Sequence, residues 1–445
     1  MEPKDSLVLP FHHPDQPSAP KPSWLASISL DYYLTYRQYS LVSSIEWRPP
    51  ELSAFMSEFE YLRVRHVNIE NYKAILWSCV VEAIVTCVVL LTNFLPWTWK
   101  ILGNGIKRSR NCCSSWRRKK QAAIDGFEDD KPVGEIKQSI AFYLVFSLGV
   151  FRATPDSRAL PCLHHQTAPK ERVVFKVDNT LVAYSPYFLF VDGFGNAVAG
   201  FSLPLPEGQL KMEVDKFAEK LQFPPENIYV AETSAVFQNM SNAYYAGMFV
   251  NKRIVFFDTM LGYAPDDLEN GIKPNPTTKA PNMTNHEVIA VLAHELGHWK
   301  GQHIFYKFII QQIRLIIYLV MLAAFYQNKR LHAALGFMKQ RPIIIGLFIV
   351  ANFVSVPINE PIGLVNNIIS QQIEYSADRF AMDYNYAEHL CHALLKIRSR
   401  NQMPLVDPLY SLFKEDHGGT LQRCKQMNVK LIEIDSFWFN KFGQV

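Results

Sequence analysis

His294 and His298 stand four residues apart in the stretch VLAHELGHWKGQH, with Glu295 beside the first of them. On a helix, side chains at i and i+4 lie one above the other on one face, so two imidazole nitrogens can converge on a single ion. A catalytic metal held this way keeps a position for water and acidifies it, and an adjacent carboxylate can take the proton as a peptide carbonyl is attacked. Glu295, one residue round from His294, is placed for that base role rather than for ligation. His286 and His303 lie off the ligand pair and read as capping or surface residues.

This chemistry requires a helix under the histidines. Thr284-Asn285-His286-Glu287 has the form of a capping box ahead of the apolar positions Val288, Val291 and Leu292, which predicts a helix start there. A tetrahedral site also needs a third ligand, and Glu374 with Asp378 in QQIEYSADRFAMD repeats the four-residue spacing. One carboxylate of the pair would bind metal while the other accepts the free N–H of a ligand histidine. On spacing alone, a solvated acidic face fits the pair equally well.

Upstream, PLPEGQLKMEVDKFAEKLQF places Leu210, Val214, Phe217, Ala218 and Leu221 at helical spacing, with Pro204 and Pro206 as a start signal. ENIYVAE, AVFQNMSNAYYAG and KRIVFFDTML read as three short strands, followed by a Pro- and Asn-rich loop. A small sheet therefore precedes the histidine helix.

The 445-residue chain is 49% hydrophobic and 19% charged, with a formal net charge of +4, a balance that suits a protein partly in membrane and gives no general affinity for nucleic acid. Three apolar runs, at 74–95, 308–326 and 342–358, are long enough for the hydrocarbon of a bilayer. Those at 139–151 and 181–201 are shorter or more polar, and 100–120 is a basic flank. The seven cysteines form no CxxC pair and read as reduced thiols. The Pro-rich residues 1–23 read as a disordered tail, 24–203 as an N-terminal membrane region, and 204–445 as a metalloprotease region that includes the runs at 308–326 and 342–358.

NAYYAG…NKRIVFFDTML, HEVIAVLAHELGHWKGQH and EYSADRFA together resemble the Ste24 family of integral-membrane zinc proteases, the CAAX prenyl proteases, over about Leu203 to Leu421. The resemblance implies an α-helical integral membrane protein with a zincin-like α+β metalloprotease domain. It implies one zinc ion per chain on His294, His298 and Glu374, with Glu295 as base and Asp378 bracing a ligand. Asn242, Ala243 and Tyr244 would form the edge that receives an extended substrate, and His417 and Arg423 would help hold substrate or transition-state charge. The family pattern has prolines where this chain has Gly418 and Gly419. The implied partners are prenylated CAAX proteins and the lipid bilayer, and the implied location is the endoplasmic reticulum or inner nuclear membrane. The same motifs also fit a broader membrane quality-control peptidase, or a non-catalytic copy that binds prenylated or membrane proteins.

Overall fold

The computed structural model describes residues 23–53, 55–92, 94–104, 202–231, 242–247, 252–261, 283–399 and 402–429. The apolar stretches at 139–151 and 181–201, most of the basic flank and nearly all of the N-terminal tail lie outside them. The chain forms two compact units, each drawn from separate stretches: one from 1–32, 74–164 and 316–360, the other from 33–73, 165–315 and 361–445.

The second unit holds the sheet. Its strands β1 (Ser202–Pro204), β2 (Ile228–Ala231), β3 (Ala243–Ala246) and β4 (Arg253–Phe257) lie in the order β1-β2-β4-β3, with only β2 and β4 parallel. β3 pairs Ala243 with Phe256 and Tyr245 with Ile254 and is an edge among the described residues. Two details differ from the sequence reading. β1 is an additional strand of three residues, where a proline is tolerated because the strand is an edge among the described residues. The end of KRIVFFDTML is not strand: Asp258–Leu261 turns helical, and within it the Thr259 N–H donates to Asp258 Oδ1 at 2.6 Å.

Helix α1 spans Ser23–Ser44 and α2 spans Glu58–Leu91. Helix α3 (Gln209–Lys220) buries Val214, Phe217 and Ala218, and Leu210 and Leu221 pack against the same core, as their spacing predicts. Helix α4 (Asn285–Lys300) begins with the expected capping box: the Glu287 N–H donates to Thr284 Oγ1 at 3.3 Å, and Glu287 Oε2 accepts from the Thr284 N–H at 2.7 Å. Its residues from Glu287 to Gly297 are all buried. Glu287 also pairs with Lys396 at 2.7 Å, tying the start of α4 to a later helix, Ala387–Ser399. The second unit's core joins Ile254 and Phe256 of β4 to Val288, Leu292 and Leu296 of α4.

Helix α5 (His303–Phe325) follows α4 after a two-residue break, and α2 and α5 are each long and apolar enough to cross a membrane. Trp77, Ile84 and Val88 on α2 and Ile309, Ile313, Ile316 and Val320 on α5 are exposed, the side chains a bilayer would cover. The run at 342–358 is not one straight span. Helix α6 (Ile343–Ile349) passes through a π-turn (Val350–Val354) and bends by 52° into α7 (Val356–Asp383). Pro357, the second residue of α7, lacks an amide proton and cannot continue the helical ladder back through the bend. In the first unit, Val89, Leu95, Trp99, Ile345 and Ile349 share one apolar cluster.

Cys391 and Cys424 form a disulfide with Cα atoms 5.3 Å apart, which corrects the reading of all cysteines as thiols. Their 33-residue separation carries no spacing signature. The pair links helix α8 (Ala387–Ser399) to α9 (Thr420–Gln426).

Candidate active site

Gly297 lies inside the HELGH segment, where a glycine weakens a helix by about 1 kcal/mol. A Cβ there would come within 3.0 Å of Ala377 Cα and Phe380 Cβ on α7. The bare backbone lets α7 approach α4, and this brings Glu374 to the two histidines. Their ligand atoms lie within 4.8 Å of one another. His294 Nε2 is 3.0 Å from His298 Nε2 and 3.4 Å from Glu374 Oε2, and His298 Nε2 is 3.6 Å from Glu374 Oε1. Ligands at 2.0–2.1 Å from a tetrahedral zinc stand about 3.3 Å apart. Glu374 is 1% exposed, and its Oε2 has no hydrogen-bond partner among the described residues. The Arg423 guanidinium faces this oxygen at 3.5 Å without hydrogen-bonding it, so a coordination position remains that a metal ion would fill. The donor set and its spacing fit one metal ion.

The remaining site residues surround this triad. Asp378 Oδ1 lies 3.0 Å from His294 Nδ1, on the side of the ring away from the triad. Arg423 of α9 grips Asp378 twice, donating from Nε to Oδ2 at 2.8 Å and from Nη2 to Oδ1 at 2.6 Å. Its Nη1 is 3.5 Å from Glu374 Oε2. Burial disfavours a charged His294, but the Asp378 carboxylate at its Nδ1 and the Glu374 carboxylate near its Nε2 outweigh it and raise the metal-free imidazole to about 9. Arg423 is buried too, and the Asp378 and Glu374 carboxylates hold its guanidinium in the charged form.

Glu295 Oε2 accepts the backbone N–H of Tyr245 at 2.8 Å, so β3 holds the carboxylate in place. Because the Phe257 N–H donates to Asn242 O, the backbone of Asn242 and, by alternation, of Tyr244 faces β4. The outward main-chain groups of β3 therefore belong to Ala243 and Tyr245. Of the three residues assigned to a substrate edge, Ala243 can offer its backbone, whereas Asn242 and Tyr244 can offer side chains. All three line a pocket of about 220 Å³ together with His294, Glu295 and His298.

His417 stands exposed at this pocket, with Nε2 3.9 Å from Glu374 Oε1 and Nδ1 2.7 Å from Asp416 Oδ1. The Asp416 carboxylate raises its pKa above the ordinary histidine value. Gly418 follows with φ +72°, a backbone conformation a proline could not take.

Two pocket residues were not picked out as site residues in the sequence reading. His303, read there as a capping or surface residue, is buried, and its Nδ1 lies 2.9 Å from His298 Nδ1. Lys307, one turn further along α5, places Nζ 3.6 Å from Glu374 Oε1. Its one available signal was a lone cation at the start of a long apolar run. His286, by contrast, is exposed and stacks on His389 at 5.2 Å between ring centres.

Residues 204–428 match the model of peptidase family M48, and residues 38–154 match the CAAX prenyl protease N-terminal model, described as five membrane helices. The chain belongs to peptidase family M48 and is a multi-pass membrane metalloprotease with a metal cofactor. Its relatives include the CAAX prenyl protease 1 homolog of Homo sapiens, 29% identical over 89% of this chain and 91% of that one. CAAX prenyl protease 1 of Saccharomyces cerevisiae is 31% identical over 51% of this chain and 49% of its own length. The crystal structure of S. mikatae Ste24p has the same fold, with a TM-score of 0.58, 22% identity and coverage of 91% of this chain and 98% of that one. The likeness thus reaches well upstream of Leu203, where the quoted motifs begin.

Proposed function

We propose that this chain is a zinc metalloendopeptidase that removes the C-terminal aaX tripeptide from prenylated CAAX proteins at the endoplasmic reticulum membrane. The observation that carries this reading is the convergence of His294, His298 and Glu374 at 3.0–3.6 Å, with Glu295 beside them and bonded to the edge strand β3. The substrate class is drawn from relatives that carry the name CAAX prenyl protease 1 along most or half of this chain. The metalloprotease region is assigned to 204–445, including the membrane runs at 308–326 and 342–358, the N-terminal membrane region to 24–203, and residues 1–23 to a tail.

One zinc ion per chain would be held by His294, His298 and Glu374, and when bound it supplies Lewis acidity and water activation. Asp378 accepts the Nδ1–H of His294, which leaves Nε2 free to ligate. Arg423 keeps Asp378 ionised and turned toward that ring. Glu295 takes the proton from the attacking water and returns it to the leaving amine. The substrate main chain lies along β3 as an added strand, pairing with the outward main-chain groups of Ala243 and with the Tyr245 carbonyl, since Glu295 holds the Tyr245 N–H, and this presents its scissile carbonyl in a fixed orientation. His417 and Arg423 stabilise the negative charge that develops on that carbonyl oxygen.

The test is incubation of the purified protein with a farnesylated CAAX peptide. Release of the aaX tripeptide, its loss on chelation and its return with zinc are expected. A peptide left intact by zinc-loaded protein contradicts the assignment.

A further inference from the structure

The two histidines of the triad are braced differently. His294 has a carboxylate at its Nδ1, but the group facing His298 Nδ1 is another imidazole, that of His303, at 2.9 Å. With Nε2 of His298 directed at the triad, Nδ1 must carry that ring's proton and needs an acceptor. Nδ1 of His303 can accept it only as a neutral ring that keeps its own proton on Nε2.

The chain is shaped to put His303 there. In one continuous helix, a residue five positions after His298 would lie about 140° round the axis and could not reach it. Instead α4 ends at Lys300, Gly301 caps it, and Gln302 takes the left-handed conformation at φ 53°. His303 then folds back, is 6% exposed, and packs edge-on against His298 with ring centres 5.0 Å apart. A Cβ at position 301 would sit 2.7–2.8 Å from Cδ2 and Cε1 of the His303 ring and closer still to Nε2. The side chain would yield before the backbone, so any residue but glycine moves the ring off His298.

We infer that His303 is a positioning residue for the metal site: it fixes the tautomer and orientation of His298, and Gly301 leaves room for it to do so. This rests on the zinc reading above. It casts the second half of HELGHWKGQH as a built support for the ligand in the first half.

Zinc affinity of the purified full chain in detergent, measured by competition with a chromophoric chelator, tests it alongside the absorption spectrum of the cobalt-substituted protein. His303→Phe keeps a ring but loses the acceptor, and should weaken zinc binding by about 10- to 100-fold with an altered cobalt spectrum. His303→Asn puts an amide oxygen where Nδ1 was and should restore most of the affinity and the spectrum. Gly301→Ala keeps His303 but displaces it, and should behave like the Phe variant. Wild-type affinity in either the Phe or the Gly301→Ala variant, or an Asn variant as weak as Phe, overturns the inference. If the Phe variant does not fold, the other two still decide it. Wild-type protein that takes up no zinc instead overturns the metal reading beneath it, a separate and visible failure.

Discussion

Glu295→Gln separates the base from the metal. Glu295 lies beside the ligand pair but contributes no atom to the triad, and its Oε2 accepts the Tyr245 N–H at 2.8 Å. A glutamine can keep that bond only by turning its carbonyl oxygen toward Tyr245, since its amide NH2 would face another donor. The NH2 is then left facing the site, a donor where the reaction needs an acceptor. The side chain stays where it was and the triad is untouched, so metal content and thermal unfolding should match the wild type. Proton transfer by a positioned side chain is worth about 10²- to 10⁴-fold, or roughly 2.7–5.4 kcal/mol of barrier, and kcat should fall by at least that much. KM should change little, because the ground-state contacts along β3 remain. Single-turnover cleavage of a fluorogenic CAAX peptide, with zinc measured on the same sample, reads both quantities. A variant that loses its zinc, or one that retains wild-type turnover, refutes the role given to Glu295.

Glu374→Ala should abolish stoichiometric zinc, because it removes the acidic member of the triad and leaves two histidines; full zinc and activity in that variant would show the third ligand to be elsewhere. Asp378→Asn should weaken zinc binding by about 10- to 100-fold and is checked by chelator competition, an unchanged affinity leaving Asp378 with only a packing role. Zinc affinity should also rise with pH. The metal-free His294 is raised from 6.5 to about 9, so below that value a proton occupies the imidazole and must leave before a metal can bind. Affinity should therefore climb by about tenfold per pH unit between pH 7 and 9, and a flat profile would contradict the coupling.

The parts of the site readable in the sequence are those set by local periodicity. His294 and His298 announce themselves because a four-residue spacing becomes one helix face wherever the helix goes, and the capping box at Thr284 fixes where it starts; Glu374 and Asp378 share that spacing, but a solvated acidic face fits it equally well, and the family resemblance singles them out. The meeting of the two helices was legible only in part, since Gly297 is an ordinary helix weakness until Ala377 and Phe380 are seen against it. His303 was missed because its contact depends on a two-residue break, through a glycine and a residue at φ 53°, that reverses the expected direction of its side chain. The Tyr245 bond to Glu295 is made by a backbone N–H, which every residue but proline possesses and no spacing can flag. Strand β1 is three residues long and contains proline, too short for any alternation to register. The bend between α6 and α7 was hidden by apolar composition, which measures length for a membrane but not whether Pro357 allows a straight rod.

The most direct test of the account compares kcat/KM for one CAAX peptide in farnesylated and unprenylated forms, with the zinc-loaded protein in lipid nanodiscs. Helix α5 begins three residues after α4 ends, and we propose that a substrate tethered in the bilayer reaches Glu295 and the triad along it. Faster cleavage of the farnesylated peptide, with the aaX tripeptide as product and complete loss on chelation, is the predicted result. Equal rates on the two peptides, or no cleavage of either, would contradict it.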